Sequence, residues 1–415
     1  MLSLVVLIFN CKSAQISKEI TKKLETSFYE NQFTGLLVIN PKTGDTLFSH
    51  NADKYFTPAS NTKIFTLYTA LNLLPEQIPA FKYHIDADTI YMQGTGNPTF
   101  LHSYFNDSTA LKIADIYNKV NLIINNYEDD KLGPGWAWED YDTYFSPERS
   151  SFPMYGNVLT ISNQDSLQST PNILRKNIQI SSNKFRRSLN ENTFFYNSKK
   201  NKTIEVPLVI DSIMVAELWD DILPSKVSLI NRSNTKITEI AYSNIPPDSL
   251  YKRMMEVSDN FLAEQMLILS SSMLSDTLSS SKIIKHMLNN KLSYLKQKPR
   301  WVDGSGLSRY NLFTPTSFVQ VLSDLYTNIP RERLFNLFPV GGVSGTLKKY
   351  YSSTSKPYIY AKSGTVGNNY SLSGYLITNK GETLIFSFMN NHYRKPSSEI
   401  KKRMQLVFEY LRDNY

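Results

Sequence analysis

Cysteine is nearly absent: Cys11 stands alone in 415 residues. No disulfide can form within the chain, and a zinc site of the multi-cysteine kind is excluded with it. Histidine is scarce as well, and none of His50, His84, His102, His286 and His392 belongs to an H-E-x-x-H pair, so the sequence implies no metal. A G-x-S-x-G elbow and a P-loop are both missing. Long apolar runs are missing too: LSLVVLIF, residues Leu2 to Phe9, is too short to span a bilayer, and no other segment comes closer. Positive charge is in only slight excess, 45 Lys and Arg against 37 Asp and Glu, net +8, too dilute for a dedicated nucleic-acid partner.

What is present is enough for a full core. With 41% hydrophobic and 20% charged residues the chain is globular, and its length predicts two or three structural units held by packing alone. The apolar run at the N-terminus suits the hydrophobic part of an export signal, although a basic region before it is missing and the true start could lie upstream. Cys11 follows at the place where a lipoprotein is lipidated, and Ala14 suits simple cleavage. Residues 1–14 are therefore expected to be an export segment, with a periplasmic or cell-envelope location and Cys11 as candidate lipid anchor.

Farther on, GLLVINPKTGDTLFSHN reads as a hairpin turning at Pro41 to Asp45. In YFTPASNTKIFTLYTALNLLP, Thr57 can cap a helix, Pro58 fits its first position, and Ile64, Leu67, Leu71 and Leu74 recur at helical spacing. Residues 81–244 change texture to short alternating strands and turn clusters, as inserted β-rich material would. Helical periodicity returns after Pro246, and YIYAKSGTV, SLSGYLIT and ETLIFSFMNN predict an antiparallel three-strand meander before a helical tail. The expected organisation is an α/β catalytic domain from 15–80 and 245–415, helices packed on an antiparallel sheet, interrupted by 81–244.

Three short stretches could carry chemistry. Ser60-Asn61-Thr62-Lys63 places a lysine one helical turn beyond a serine, where it can take the hydroxyl proton. The same letters recur elsewhere, at Ser181, Ser233, Ser249, Ser279, Ser293, Ser353 and Ser398. Ser60 differs by sitting in the first turn of a helix, where its own N–H lacks an intrahelical partner and can face developing negative charge. Ser258-Asp259-Asn260 interrupts a helical stretch, so that a hydroxyl and an amide two residues apart can turn toward one groove. Lys362-Ser363-Gly364-Thr365 opens the meander at an edge able to receive an extended peptide; Gly364 permits close approach, and the Thr365 amide could be the second oxyanion donor. Each has a plain alternative: a helix start with a solvated lysine, a polar turn, and a strand with an outward lysine.

In the order S-x-x-K, S-D-N, K-S-G, these motifs are the set found in penicillin-binding proteins and class A β-lactamases. With TPASNTK, GTGNP, GWAWEDY, DGSGLSRYN and AKSGT, the chain resembles the penicillin-binding protein 4 family of D-alanyl-D-alanine carboxypeptidases and endopeptidases, peptidase family S13, over nearly everything past residue 33. The 195 residues between Lys63 and Ser258 suit that family's inserted domains and are far more than class A β-lactamases have. The resemblance implies a serine β-lactamase/transpeptidase-like fold, no cofactor, peptidoglycan stem peptides as substrate and β-lactams as acylating inhibitors. It makes Ser60 the acyl-forming nucleophile and Lys63 its base. Ser258 would relay a proton to the departing D-alanine, and Asn260 would hold the substrate's peptide carbonyl or Lys63. Lys362, Ser363 and Thr365 would grip the terminal carboxylate. Ser363 stands where the family usually has threonine. Glu139 and Asp140 match an acidic spot that in relatives looks like the reader of a free amine on the stem peptide. DGSGLSRYN reads as a structural turn beside the groove.

The mechanism asks that Lys63 be neutral at working pH, well below the free value of about 10.4; burial and the charge of Lys362 both push that way. A serine β-lactamase is the enzymatic rival, but no extra base for its hydrolytic water stands out. An inactive wall-binding or sensor protein is the rival from another class.

Overall fold

The computed structural model describes residues 2–164, 166–200, 202–231 and 237–415, with side chains from residue 13 onward apart from residue 200. The side chain of Cys11, the candidate lipid site, therefore lies outside the described ones. The chain forms two compact bodies. One comprises residues 1–68, 251–258 and 287–415, the other 69–250 and 259–286.

In the first body, strands Phe33–Ile39 and Thr46–His50 form the hairpin, and Ile359–Val366, Asn369–Ile377 and Thr383–Asn391 form the meander. They join in one antiparallel sheet in which Thr383–Asn391 pairs with Phe33–Ile39, leaving Ile359–Val366 at one edge and Thr46–His50 at the other. Period-2 alternation sorts the side chains: Leu36, Phe388 and Leu372 lie side by side in the register, as do Leu37, Ser387 and Ser373 on the opposite face. The first set packs against Ile16, Ile20 and Leu24 of helix Leu2–Leu24 and against Met404, Val407, Phe408 and Leu411 of helix Ser397–Asn414. Hydrophobic burial of this kind is the dominant stabilising term. No helix among the described residues is long and apolar enough to cross a membrane.

Across the sheet's other face runs helix Pro315–Asn328. Thr314 caps it by accepting from Ser317 N at 3.0 Å, and Pro315 takes a position where a missing N–H costs nothing. Tyr375 donates its hydroxyl to Leu322 O at 2.9 Å, tying sheet to helix. Phe65 meets Trp301, Phe313 and Phe318 edge-on, with ring centroids 4.8 to 5.6 Å apart. That cluster fixes the start of helix Lys63–Leu73, which is preceded by a 3-10 turn, Ala59–Thr62.

The entry to this helix differs from the sequence reading. Thr57 does not cap it; Pro58 occupies the cap position without a side-chain bond, and the first turn is 3-10. The cause is tertiary: Asn391 accepts from Thr57 N at 2.7 Å and donates to Thr57 O at 3.1 Å, committing that backbone to the sheet, and Ala59 adopts φ +48°. A strand residue decides where the helix begins.

The second body is built on strands Pro79–Asp86, Thr89–Gly94, Lys119–Ile123, Lys226–Leu229 and Glu239–Tyr242 in one mixed sheet, with smaller sheets from Val158–Asn163, Leu167–Thr170 and Ile204–Pro207 and from Ile178–Ile180 and Phe194–Tyr196. Phe81, Met92, Leu122, Phe152, Leu159, Val206 and Trp219 share its core. Residues 259–286, expected with the catalytic domain, group here instead, and so do 69–80 and 245–250. Helix Asn260–Ser271 is buried from Phe261 to its end, more than a surface stripe would be. It also carries Glu264, paired with buried Arg149 at 3.4 Å.

Candidate active site

Three chain segments of the first body meet at the free edge of its sheet. The 3-10 turn brings Ser60, half-buried, to its mouth. Lys63, completely buried, donates from Nζ to Ser60 Oγ at 3.1 Å and to Ser305 O at 2.7 Å. The Ser305 carbonyl belongs to the DGSGLSRYN loop, which Asp303 organises by accepting from Gly306 N at 2.9 Å, Ser308 N at 2.7 Å and Asn311 Nδ2 at 2.6 Å. Gly304 O in the same loop accepts from Thr66 Oγ1 at 2.6 Å. The loop is structural, as the sequence suggested, yet the Ser305 carbonyl also holds the lysine beside the serine; nothing in the letters marks Ser305 for that.

Ser258 arrives from helix Pro247–Glu256, which stops where Ser258 takes φ +62° and Asp259, in extended conformation, caps the next helix by accepting from Leu262 N at 3.0 Å. A non-glycine residue in that left-handed region is unusual and is held by its surroundings. Lys362, fully buried on strand Ile359–Val366, donates to Ser258 Oγ at 2.9 Å and to Ser363 O at 2.7 Å. Burial first and the nearby Lys63 second hold its pKa well below the ordinary lysine value. Each lysine thus addresses a serine hydroxyl.

Gly364 explains how the strand comes so near the turn. A Cβ built there would lie 2.5 Å from Pro58 O and 2.8 Å from the backbone nitrogens of Ser60 and Asn61, so any side chain would push the two apart. Asn61 Nδ2 completes the attachment by donating to Ser371 O at 3.0 Å. The outer edge of the strand is bridged only at its start among the described residues, where Ala361 N donates to Pro339 O at 3.0 Å and Val340 bridges Tyr360. Strand N–H groups alternate sides, so the Ser363 and Thr365 N–H groups face outward like that of Ala361. Thr365 is exposed. An extended peptide could lie there, with the Ser60 and Thr365 N–H groups as a pair of oxyanion donors.

The structure therefore gathers Ser60, Lys63, Ser258, Lys362, Ser363, Gly364 and Thr365 in one body. Asn260 and Asp140 belong to the other. Asn260 opens helix Asn260–Ser271 and donates from Nδ2 to Phe145 O at 2.9 Å. Half-buried Asp140 ends the 3-10 turn Trp138–Asp140, and its carbonyl accepts from Thr143 Oγ1 at 2.7 Å, while Glu139 is exposed. One residue that the sequence reading passed over also touches the site: Thr346 Oγ1 lies 2.7 Å from Ser363 Oγ. Its only signal in the sequence is a small hydroxyl residue in a glycine-rich loop. Among the described residues no group of three or more His, Cys, Asp or Glu could hold a metal ion.

A sequence model of the D-Ala-D-Ala carboxypeptidase 3 (S13) family matches residues 16–216 and 225–410. A penicillin-sensitive carboxypeptidase A of Dictyostelium discoideum is 23% identical over 88% of this chain and 83% of its own length. A D-alanyl-D-alanine carboxypeptidase of Haemophilus influenzae is 29% identical over 41% of this chain and 37% of its own. Among solved structures, penicillin-binding protein 4 of Haemophilus influenzae covers 96% of this chain and 99% of its own with a TM-score of 0.72 and 16% identity. A penicillin G-acylated predatory endopeptidase of Bdellovibrio bacteriovorus covers 91% and 93% with a TM-score of 0.52 and 15% identity. At those identities the structural likeness establishes the fold, helices together with antiparallel sheets.

Proposed function

The chain belongs to the S13 family of D-Ala-D-Ala carboxypeptidases, and from that premise we propose that it is a serine peptidase which forms an acyl-enzyme at Ser60 with peptidoglycan stem peptides and is inhibited by β-lactams in the same way. The observation that carries the reading is the double lysine–serine arrangement: Lys63 Nζ 3.1 Å from Ser60 Oγ and Lys362 Nζ 2.9 Å from Ser258 Oγ, both amines fully buried in one body.

The chemistry follows from the placement of the groups. Neutral Lys63 takes the Ser60 proton as Oγ attacks the carbonyl carbon of the penultimate D-alanine. The oxygen of the tetrahedral adduct gathers negative charge between the Ser60 and Thr365 N–H groups, which need no reorganisation to receive it. As the C–N bond breaks, the proton that Lys63 took passes through the hydroxyl of Ser258, held by Lys362, to the leaving D-alanine nitrogen, which returns Lys63 to its neutral form. Water then attacks the Ser60 ester, Lys63 accepting its proton and handing it to Ser60 Oγ as the ester C–O bond breaks, and the shortened peptide leaves with the enzyme regenerated. A low pKa at Lys362 suits this relay, since two adjacent amines cannot both stay protonated cheaply. Ser363 and Thr365 hold the terminal carboxylate.

Peptidoglycan as substrate places the enzyme in the cell envelope, periplasmic or anchored through Cys11; the mass of the natively isolated N-terminal peptide reads which. Incubation with a muramyl pentapeptide tests the activity: released D-alanine supports it, and an unchanged pentapeptide contradicts it. Fast, repeated turnover of a chromogenic cephalosporin would point to a β-lactamase instead.

A further inference from the structure

We propose that Thr346 is a positioning residue for substrate-carboxylate recognition: its hydroxyl fixes that of Ser363, and the loop Val340 to Leu347 holds it in place by gripping both the strand of Lys362 and the helix that leads to Ser258. The inference rests on the reading of Ser363 as a carboxylate ligand. It adds a residue and a loop to which nothing so far assigns a part.

The loop is anchored on two sides. Toward the strand, Gly341 N donates to Ile359 O at 2.9 Å, and Val340 bridges Tyr360. Toward the helix, Ser344 Oγ donates to Glu256 Oε1 at 2.9 Å, two residues before Ser258. Gly345, at φ +55°, lies so close that a Cβ built there would stand 2.5 Å from Glu256 O, so the loop rests on the last turn of that helix without a side chain between. Thr346 follows at once, with Oγ1 2.7 Å from Ser363 Oγ.

The bond matters because of what Ser363 is. A serine lacks the β-branch that would hold χ1 in one well, so its hydroxyl samples several directions unless something outside fixes it. Thr346 supplies that partner. A serine hydroxyl has one proton and two acceptor sites. For Ser363 to donate to a carboxylate, its oxygen must accept from Thr346, giving a chain of donors from Thr346 through Ser363 to the anion, each bond polarising the next. Thr346 is exposed, and no structural need for a threonine there is visible beyond this bond.

The test compares the second-order acylation rates for benzylpenicillin, which carries the carboxylate, and for its methyl ester, which does not, in wild type, Thr346→Val, Thr346→Ser, Ser363→Ala and the double variant Thr346→Val/Ser363→Ala. Thr346→Val is expected to slow acylation by the acid about tenfold and by the ester less than twofold, and Thr346→Ser to restore the rate. In the Ser363→Ala background, Thr346→Val should cost less than twofold. Equal losses with acid and ester, an additive double variant, or an unaffected Thr346→Val would each overturn the assignment. Wild-type protein that takes no label from either compound would overturn the proposed function itself, so the two failures are told apart before any variant is made.

Discussion

Lys63 and Lys362 do opposite things to the fold and to the reaction. Burying an amine is costly, and burying two near each other is more so. Because the pKa of Lys362 is lowered in the native state, the unfolded chain binds that proton more tightly. Native stability therefore climbs with pH between the depressed native value and the roughly 10.4 of an unfolded lysine, and below the native value the penalty is constant. Urea midpoints measured across the alkaline range should rise in wild type, and Lys362→Met should lose that component while losing acylation. A midpoint slope unchanged by the substitution would show that Lys362 keeps an ordinary affinity for its proton. Lys63→Arg should abolish acylation, because a guanidinium cannot give up its proton to serve as a base; stopped-flow labelling with a fluorescent penicillin reads this, and an active variant would remove Lys63 from the role.

At the scale of elements, the site depends on a strand touching a turn. Gly364→Ala places a methyl within 2.8 Å of three backbone atoms of residues 58 to 61, so the strand must retreat from Ser60. The expected result is a folded protein, with an unchanged far-ultraviolet circular dichroism spectrum, that acylates at least a hundred times more slowly; normal labelling would mean that the contact can relax without cost. In the second body, helix Asn260–Ser271 is held through buried Arg149 and Glu264. Glu264→Gln removes a buried counter-charge from beside the guanidinium and should cost on the order of 3–5 kcal/mol in chemical denaturation. The strand meander, the hairpin and the terminal helix were all legible in the sequence because their signals are local: alternation, turn residues and helical spacing. The entry to helix Lys63–Leu73 was not, because Asn391, more than three hundred residues away, fixes the backbone of Thr57. Local capping chemistry predicted a partner that tertiary structure had already taken.

Over the whole molecule, the candidate site was readable as three motifs because each keeps its chemistry within four residues, and the structure brings Ser60, Lys63, Ser258 and Lys362 into two bonded pairs. What supports those pairs was not readable. Ser305 acts through its carbonyl, which every residue has, and Thr346 lies in a loop whose letters, GGVSGT, are those of any turn. The partition of the chain was also hidden: residues 259–286 follow Ser258 directly, yet pack with residues 69–250. An interval of helical periodicity says that a face is buried and not which body buries it. Every step proposed for the site runs through an ester on Ser60 Oγ. Mass spectrometry of protein treated with benzylpenicillin measures this directly: a single adduct is expected on the peptide containing Ser60 and none in Ser60→Ala, whereas an adduct on another residue, or one that survives the substitution, would remove Ser60 from the role.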